Sequence, residues 1–143
     1  MLFHALRLAT LPAFISLFVT LARFFGERAG LPSPVTFFIG ITWLALVIAF
    51  FWGFKLAGED KPYRLLILSL TVFSLLSRIP VITLWWITKT FALGTHYDQY
   101  EGWGIALLAQ LVGTLTQIVL GSLLGSATLA ITRSRAAEDR ESS

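Results

Sequence analysis

Arg78 stands near the middle of a long apolar run, in the stretch FSLLSRIPVIT from Phe73 to Thr83, and Pro80 follows two residues later. A guanidinium carries five N–H donors in a planar fork and effectively never loses its charge. At the centre of a membrane-spanning helix such a charge costs roughly 2.5–3.5 kcal/mol on insertion scales, so something must meet it. All the acidic residues, Glu27, Glu59, Asp60, Asp98, Glu101, Glu138, Asp139 and Glu141, fall in connections or the tail. The remaining partners are neutral acceptors, an anionic solute, a lipid headgroup or a carboxylate of another subunit.

Neutral acceptors are at hand. Pro80 lacks an N–H, which frees the carbonyl of Leu76, and helical spacing sets Thr71, Ser74, Arg78, Trp85 and Lys89 along one face. In the last apolar run Gln110, Gly113, Thr114, Gln117, Gly121 and Gly125 share a face, and in an antiparallel helix Gln117 is expected at the depth of Arg78. The expected binding residues are therefore Arg78, Gln117, Ser74 and Gln110, with Gln117 the partner of Arg78. Pro80, Gly113, Gly121 and Gly125 are expected to act in helix packing. GSLLG, Gly121 to Gly125, is a small-xxx-small motif that admits a close neighbour, either the third helix or another subunit.

Other chemistries lack their residues. Without cysteine there is no disulfide, thiolate metal site or thiol nucleophile. The chain has no phosphate-cradling glycine loop, no H-E-x-x-H pair and no G-x-S-x-G elbow. Its histidines, His4 and His96, fall at opposite faces of a membrane, about 30 Å apart, and cannot share a haem. His96, Asp98 and Glu101 in HYDQYE could meet zinc or a hard cation, but they lack helical ligand spacing and read as a solvated loop. Neither a metal nor a cofactor is expected, nor an enzyme, since no acid–base pair falls inside the apolar runs.

The elements that must position Arg78 follow from composition. Of 143 residues 56% are hydrophobic and 13% charged, about half the charged share of a soluble domain, and mean hydropathy is +0.77. Too few polar groups exist to cover a soluble domain, so a lipid bilayer is the expected surrounding partner. Apolar runs of spanning length predict helices over about 6–25, 35–54, 65–88 and 105–131. The runs are continuous rather than alternating, which argues against a barrel. The fold class is all-α, an integral membrane four-helix bundle, with one domain over 1–132 and a polar tail over 133–143. The first run also has the layout of a secretory signal, but no small-x-small cleavage site follows, and the helix is expected to stay.

Arg7, Lys55, Lys61, Arg64, Arg133, Arg135 and Arg140 fall on one side of such a bundle, and Arg23, Arg28 and Lys89 on the other. Both termini are therefore expected in the cytoplasm, with the chain in the inner membrane. Trp52 and Tyr63 mark one interface, and Trp85, Trp86, Tyr97, Tyr100 and Trp103 the other, while Trp43 at mid-depth reads as core packing. In the tail Arg133, Arg135 and Arg140 balance Glu138, Asp139 and Glu141, which leaves no patch for nucleic acid. Arg133 and Arg135 read as surface anchors, and the rest as a disordered end. The functional expectation is a non-enzymatic subunit or assembly factor of a membrane complex, docked through Arg78 and the glycine seam. The alternative is a small homo-oligomeric transporter or channel for an anionic solute or lipid.

Overall fold

The computed structural model describes residues 1–141. Its helices are α1 (Leu2–Arg28), α2 (Ser33–Phe38), α3 (Ile41–Lys55), α4 (Pro62–Leu76), α5 (Arg78–Phe91) and α6 (Trp103–Glu141), with a 3₁₀ turn at His96–Gln99. No strand occurs among the described residues. Four segments, Leu2–Arg28, Ser33–Lys55, Pro62–Phe91 and Trp103–Asp139, are long and apolar enough to cross a membrane.

Two of the four spans are broken, where unbroken helices over 35–54 and 65–88 were expected. The second opens at Pro32–Ser33 as the short α2 and stops at Ile39, and the chain passes Gly40 in extended conformation (φ −137°, ψ 150°) before α3 begins. Glycine resists a helix interior by about 1 kcal/mol and has no side chain to pack there, which makes it the weak point of the run. The third span stops at Leu76 and restarts at Arg78. Pro80 is the reason: its ring and missing N–H are tolerated in the first turn of a helix but not in its interior, so the restart places Pro80 in the first turn of α5.

The last helix also departs from expectation. α6 continues without interruption through Glu141 where an irregular tail from 133 was expected. Its 39 residues reach roughly 58 Å, about twice a hydrocarbon core. The segment RAAED, Arg135 to Asp139, is rich in helix formers that extend a helix already nucleated. Residues 142 and 143 lie outside the described residues.

α6 packs most extensively on α3, and α4 touches α1, α3 and α6. Phe73, Leu66 and Leu70 of α4 are fully buried at the centre. α1 meets them with a face of small residues, Ala5, Ala9, Pro12, Ser16 and Thr20, every third or fourth position. The glycine seam lies inside the chain. A Cβ on Gly125 would stand 2.9 Å from Leu66 Cδ2 and 3.0 Å from the Ala49 carbonyl oxygen, and one on Gly121 would stand 3.3 Å from Leu70. The close neighbours of the motif are thus α3 and α4. Gly53 of α3 completes the contact, its Cβ position 2.6 Å from Thr128 Cβ and 2.7 Å from the Gly125 oxygen. Large apolar side chains such as Phe14, Phe18, Phe51 and Leu123 face outward.

The ends of the bundle are tied separately. At one end Arg133 Nε donates to the Ala57 carbonyl (3.1 Å), and His4 approaches Glu59 (3.9 Å). At the other end Arg28 Nη1 donates to the Leu93 carbonyl (2.6 Å), and Glu27 binds His96. Trp85 and Tyr97, expected at an interface, are buried at this second end, where Trp85 meets Trp103 edge-on with ring centroids 4.4 Å apart.

Candidate functional site

The break at Ile39–Gly40 opens onto a cavity of about 470 Å³, lined also from α1, α3, α5, α6 and the 3₁₀ turn. Irregular backbone inside an apolar bundle is sustainable where it lines a cavity. The break at Ile39–Gly40 leaves the first N–H groups of α3 without intrahelical partners, and Gly40, Ile41 and Thr42 lie on the cavity wall. Arg78, the first residue of α5, lines the same space.

Arg78 is held by two neutral oxygens of α6. Nε donates to Thr114 Oγ1 (3.0 Å), whose hydroxyl donates in turn to the Gln110 carbonyl (2.8 Å), and Nη1 donates to Gln110 Oε1 (3.0 Å). Nη2 is buried and has no hydrogen-bond partner. Among the described residues no carboxylate pairs with Arg78. The planar group lies against Gly113, where a Cβ would stand 3.1 Å from Nη2 and 3.3 Å from Cζ and Nη1. Gly113 is thus the seat of the guanidinium rather than an extension of the helix seam.

Gln117, the partner expected for Arg78, bonds elsewhere. Its Nε2 donates to Thr42 Oγ1 of α3 (3.3 Å), and its Oε1 is buried without a partner, although the residue lines the same cavity. Ser74 does not reach Arg78 either: its hydroxyl is buried and unpartnered, and its carbonyl accepts from Ser77 Oγ (2.9 Å). Depth matching along straight helices misplaces the partners by one to two turns, since Thr114 and Gln110 stand three and seven residues before Gln117. Gln110 is the one neutral partner among the expected residues that the structure brings onto the guanidinium.

Trp43 is also not core. It is 40% exposed, lines the cavity and packs on Phe38 across the α2–α3 break, ring centroids 5.2 Å apart. Trp43 was expected at mid-helix, but it stands in the first turn of α3, directly after the break.

A second polar cluster lies on the cavity wall. Glu27 at the end of α1 accepts from Arg23 Nε (3.1 Å) and from the His96 backbone N–H (3.2 Å), and His96 Nδ1 lies 2.6 Å from Oε1 and 2.7 Å from Oε2. Burial holds the His96 imidazole below its ordinary value, with Glu27 opposing that shift and Arg23 adding to it. Burial likewise pushes the Tyr97 phenol up to about 12. Glu27 and His96 are 69 residues apart, and each alone resembles an ordinary solvated loop residue. The clue in sequence was weak: Arg23 and Glu27 stand one helical turn apart at the end of an apolar helix. Asp98 has a local task, accepting from the Thr95 N–H (3.0 Å).

Comparison of the chain with protein-family models, with curated proteins and with solved structures gives no match.

Proposed function

We propose that this chain is a non-enzymatic, multipass protein of the inner membrane, with both termini cytoplasmic, whose cavity binds an anionic group at Arg78. The observation that carries the reading is the buried, unpartnered Nη2 of Arg78, a residue that lines the same cavity as the open N-terminus of α3. Both features favour negative charge: a free guanidinium donor pair, and backbone N–H groups at the positive end of a helix dipole. A buried charge with only neutral partners is costly, and an incoming anion offsets that cost. The ligand is a small anionic solute or the headgroup of an anionic lipid, bound for transport or recognition. The imidazole–carboxylate pair is committed to fastening the loop, since Glu27 holds the His96 backbone as well as its ring.

The test is thermal unfolding of the purified protein in neutral detergent with acetate, phosphate or sulfate, against matched neutral osmolytes. Ligands that bind only the folded state raise the midpoint. At least one anion is expected to do so for wild type and not for Arg78→Gln. Equal response of the two proteins to every anion would refute the reading.

A second reading, a subunit or assembly factor of a membrane complex, is favoured by an apolar groove of about 540 Å³ beside Pro80. Phe14, Leu17, Leu76, Ile79 and Leu84 line it. Under this reading the purified complex has a detergent-corrected mass that includes an unrelated polypeptide, whereas a transporter gives a monomer or homo-oligomer.

A further inference from the structure

The unsatisfied atoms in the cavity are of two kinds, and together they specify more than negative charge. Arg78 Nη2 is a buried donor without an acceptor, and Gln117 Oε1 is a buried acceptor without a donor. Gln117 is 1% exposed and lines the cavity, and its amide nitrogen is engaged by Thr42, which leaves the oxygen as its unmatched atom. Nη2 lies over Gly113, four residues before Gln117 on the same helix, a separation of about 5–6 Å between side-chain positions. One compact group can reach both.

Charge narrows the choice. Two cationic side chains, Arg23 and Arg78, and His96 line the cavity. Arg23 is met by Glu27, and its Nη1 lies 3.7 Å from the Cβ position of Gly40 at the open end of α3. Arg78 alone among these is left uncompensated, so a ligand with one negative charge leaves the site neutral and a dianion leaves an excess charge buried.

Resting on the anion-binding reading above, we propose that the cavity takes a singly protonated phosphate group, free or as a phosphomonoester headgroup, with a charged oxygen accepting from Arg78 Nη2 and the P–OH donating to Gln117 Oε1. A tetrahedral phosphate monoanion offers accepting and donating oxygens side by side. Sulfate offers only acceptors and two charges at neutral pH. A phosphodiester has the single charge without the acidic proton. The deep site therefore selects on the proton.

Calorimetric titration of the full chain at pH 6.5 tests this in two arms. In neutral detergent, inorganic phosphate is compared with methanesulfonate, a tetrahedral monoanion without an acidic proton; in mixed micelles, phosphatidic acid is compared with phosphatidylmethanol, its methyl ester. The arm that shows binding identifies the source, a free anion or a headgroup. In that arm the protonated ligand is expected to bind roughly tenfold or more tightly than its counterpart, the effect of leaving one buried acceptor unmet. Gln117→Met is expected to bring the two ligands of that arm within about twofold while Arg78→Gln abolishes binding of both. Equal affinity for both members of a pair, with binding still dependent on Arg78, overturns the proton selection and leaves the anion site standing. No Arg78-dependent binding in either arm removes the anion site itself. A preference that survives in Gln117→Met assigns the selection to another group and overturns the role of Gln117.

Discussion

Arg78 of the third span lies flat against Gly113 of the fourth, with its Nη2 3.1 Å from where a Cβ of residue 113 would stand. The absent side chain is what admits the guanidinium between α5 and α6. Nε and Nη1 are turned onto Thr114 and Gln110, and the remaining amino group has no partner.

Gly113→Ala tests this seat. The new methyl is tighter than ordinary contact and pushes the guanidinium by a few tenths of an ångström, while alanine improves helix propensity by about 0.5–1 kcal/mol. Thermal stability in detergent is expected to hold or rise while anion-dependent stabilisation falls several-fold. Unchanged anion response would show that the seat does not position Arg78.

Close approach of α3 and α6 is tested at Gly53. A Cβ there meets Thr128 Cβ at 2.6 Å and the Gly125 oxygen at 2.7 Å, and backbone cannot yield as a side-chain tip can. Gly53→Ala is expected to cost about 1–3 kcal/mol of stability by overpacking. Gly58→Ala, with nothing within 4 Å of its Cβ position, is the control and should be nearly silent. A denaturation series in which the two behave alike would count against the seam.

The four helices were legible in sequence because an apolar run of spanning length is a one-dimensional signal that tertiary packing does not alter. Arg78 was legible for the same reason, as the one charge near the middle of such a run. Its partners were not. Gln110 and Thr114 take the place of Gln117 because the depth at which α5 and α6 face each other is set by tertiary arrangement, which helical spacing within each run does not encode. The break at Gly40 was equally hidden, since an isolated glycine in an apolar helix is usually tolerated and only the cavity beneath it makes an opening favourable. Glu27 and His96 meet through the bundle's closure alone, and no local pattern in HYDQYE points to α1.

His96 gives stability a pH dependence of fixed sign. Its folded value lies below the ordinary 6.5, so in the window beneath 6.5 the unfolded chain binds the proton that the folded chain refuses. Stability from this group is full above that window and is lost as pH falls through it. The thermal midpoint is expected to drop between pH 7.5 and 5.5 in wild type. His96→Asn, which keeps a donor near the Nδ1 position without titrating, should show a smaller drop. Identical slopes would remove His96 from the account.

The charge bias predicts a sidedness that can be tested. Reporter fusions at Gly58 should read as cytoplasmic and fusions at Gly94 as external, because Lys55, Lys61, Arg64, Arg133 and Arg135 flank the first end and Arg28 and Lys89 the second. The opposite pattern would invert the topology and place the His96–Gln99 turn on the cytoplasmic side.

The central claim, that Arg78 holds a donor open for an anion, is tested most directly by anomalous diffraction from crystals of the full chain grown with arsenate, a heavy isostere of phosphate. The account predicts an arsenic peak inside the cavity, with an arsenate oxygen about 2.7–3.2 Å from Arg78 Nη2. It predicts no such peak in Arg78→Gln crystals grown alongside. A cavity without arsenic, in which Arg78 Nη2 bonds to another group of the chain, would contradict it.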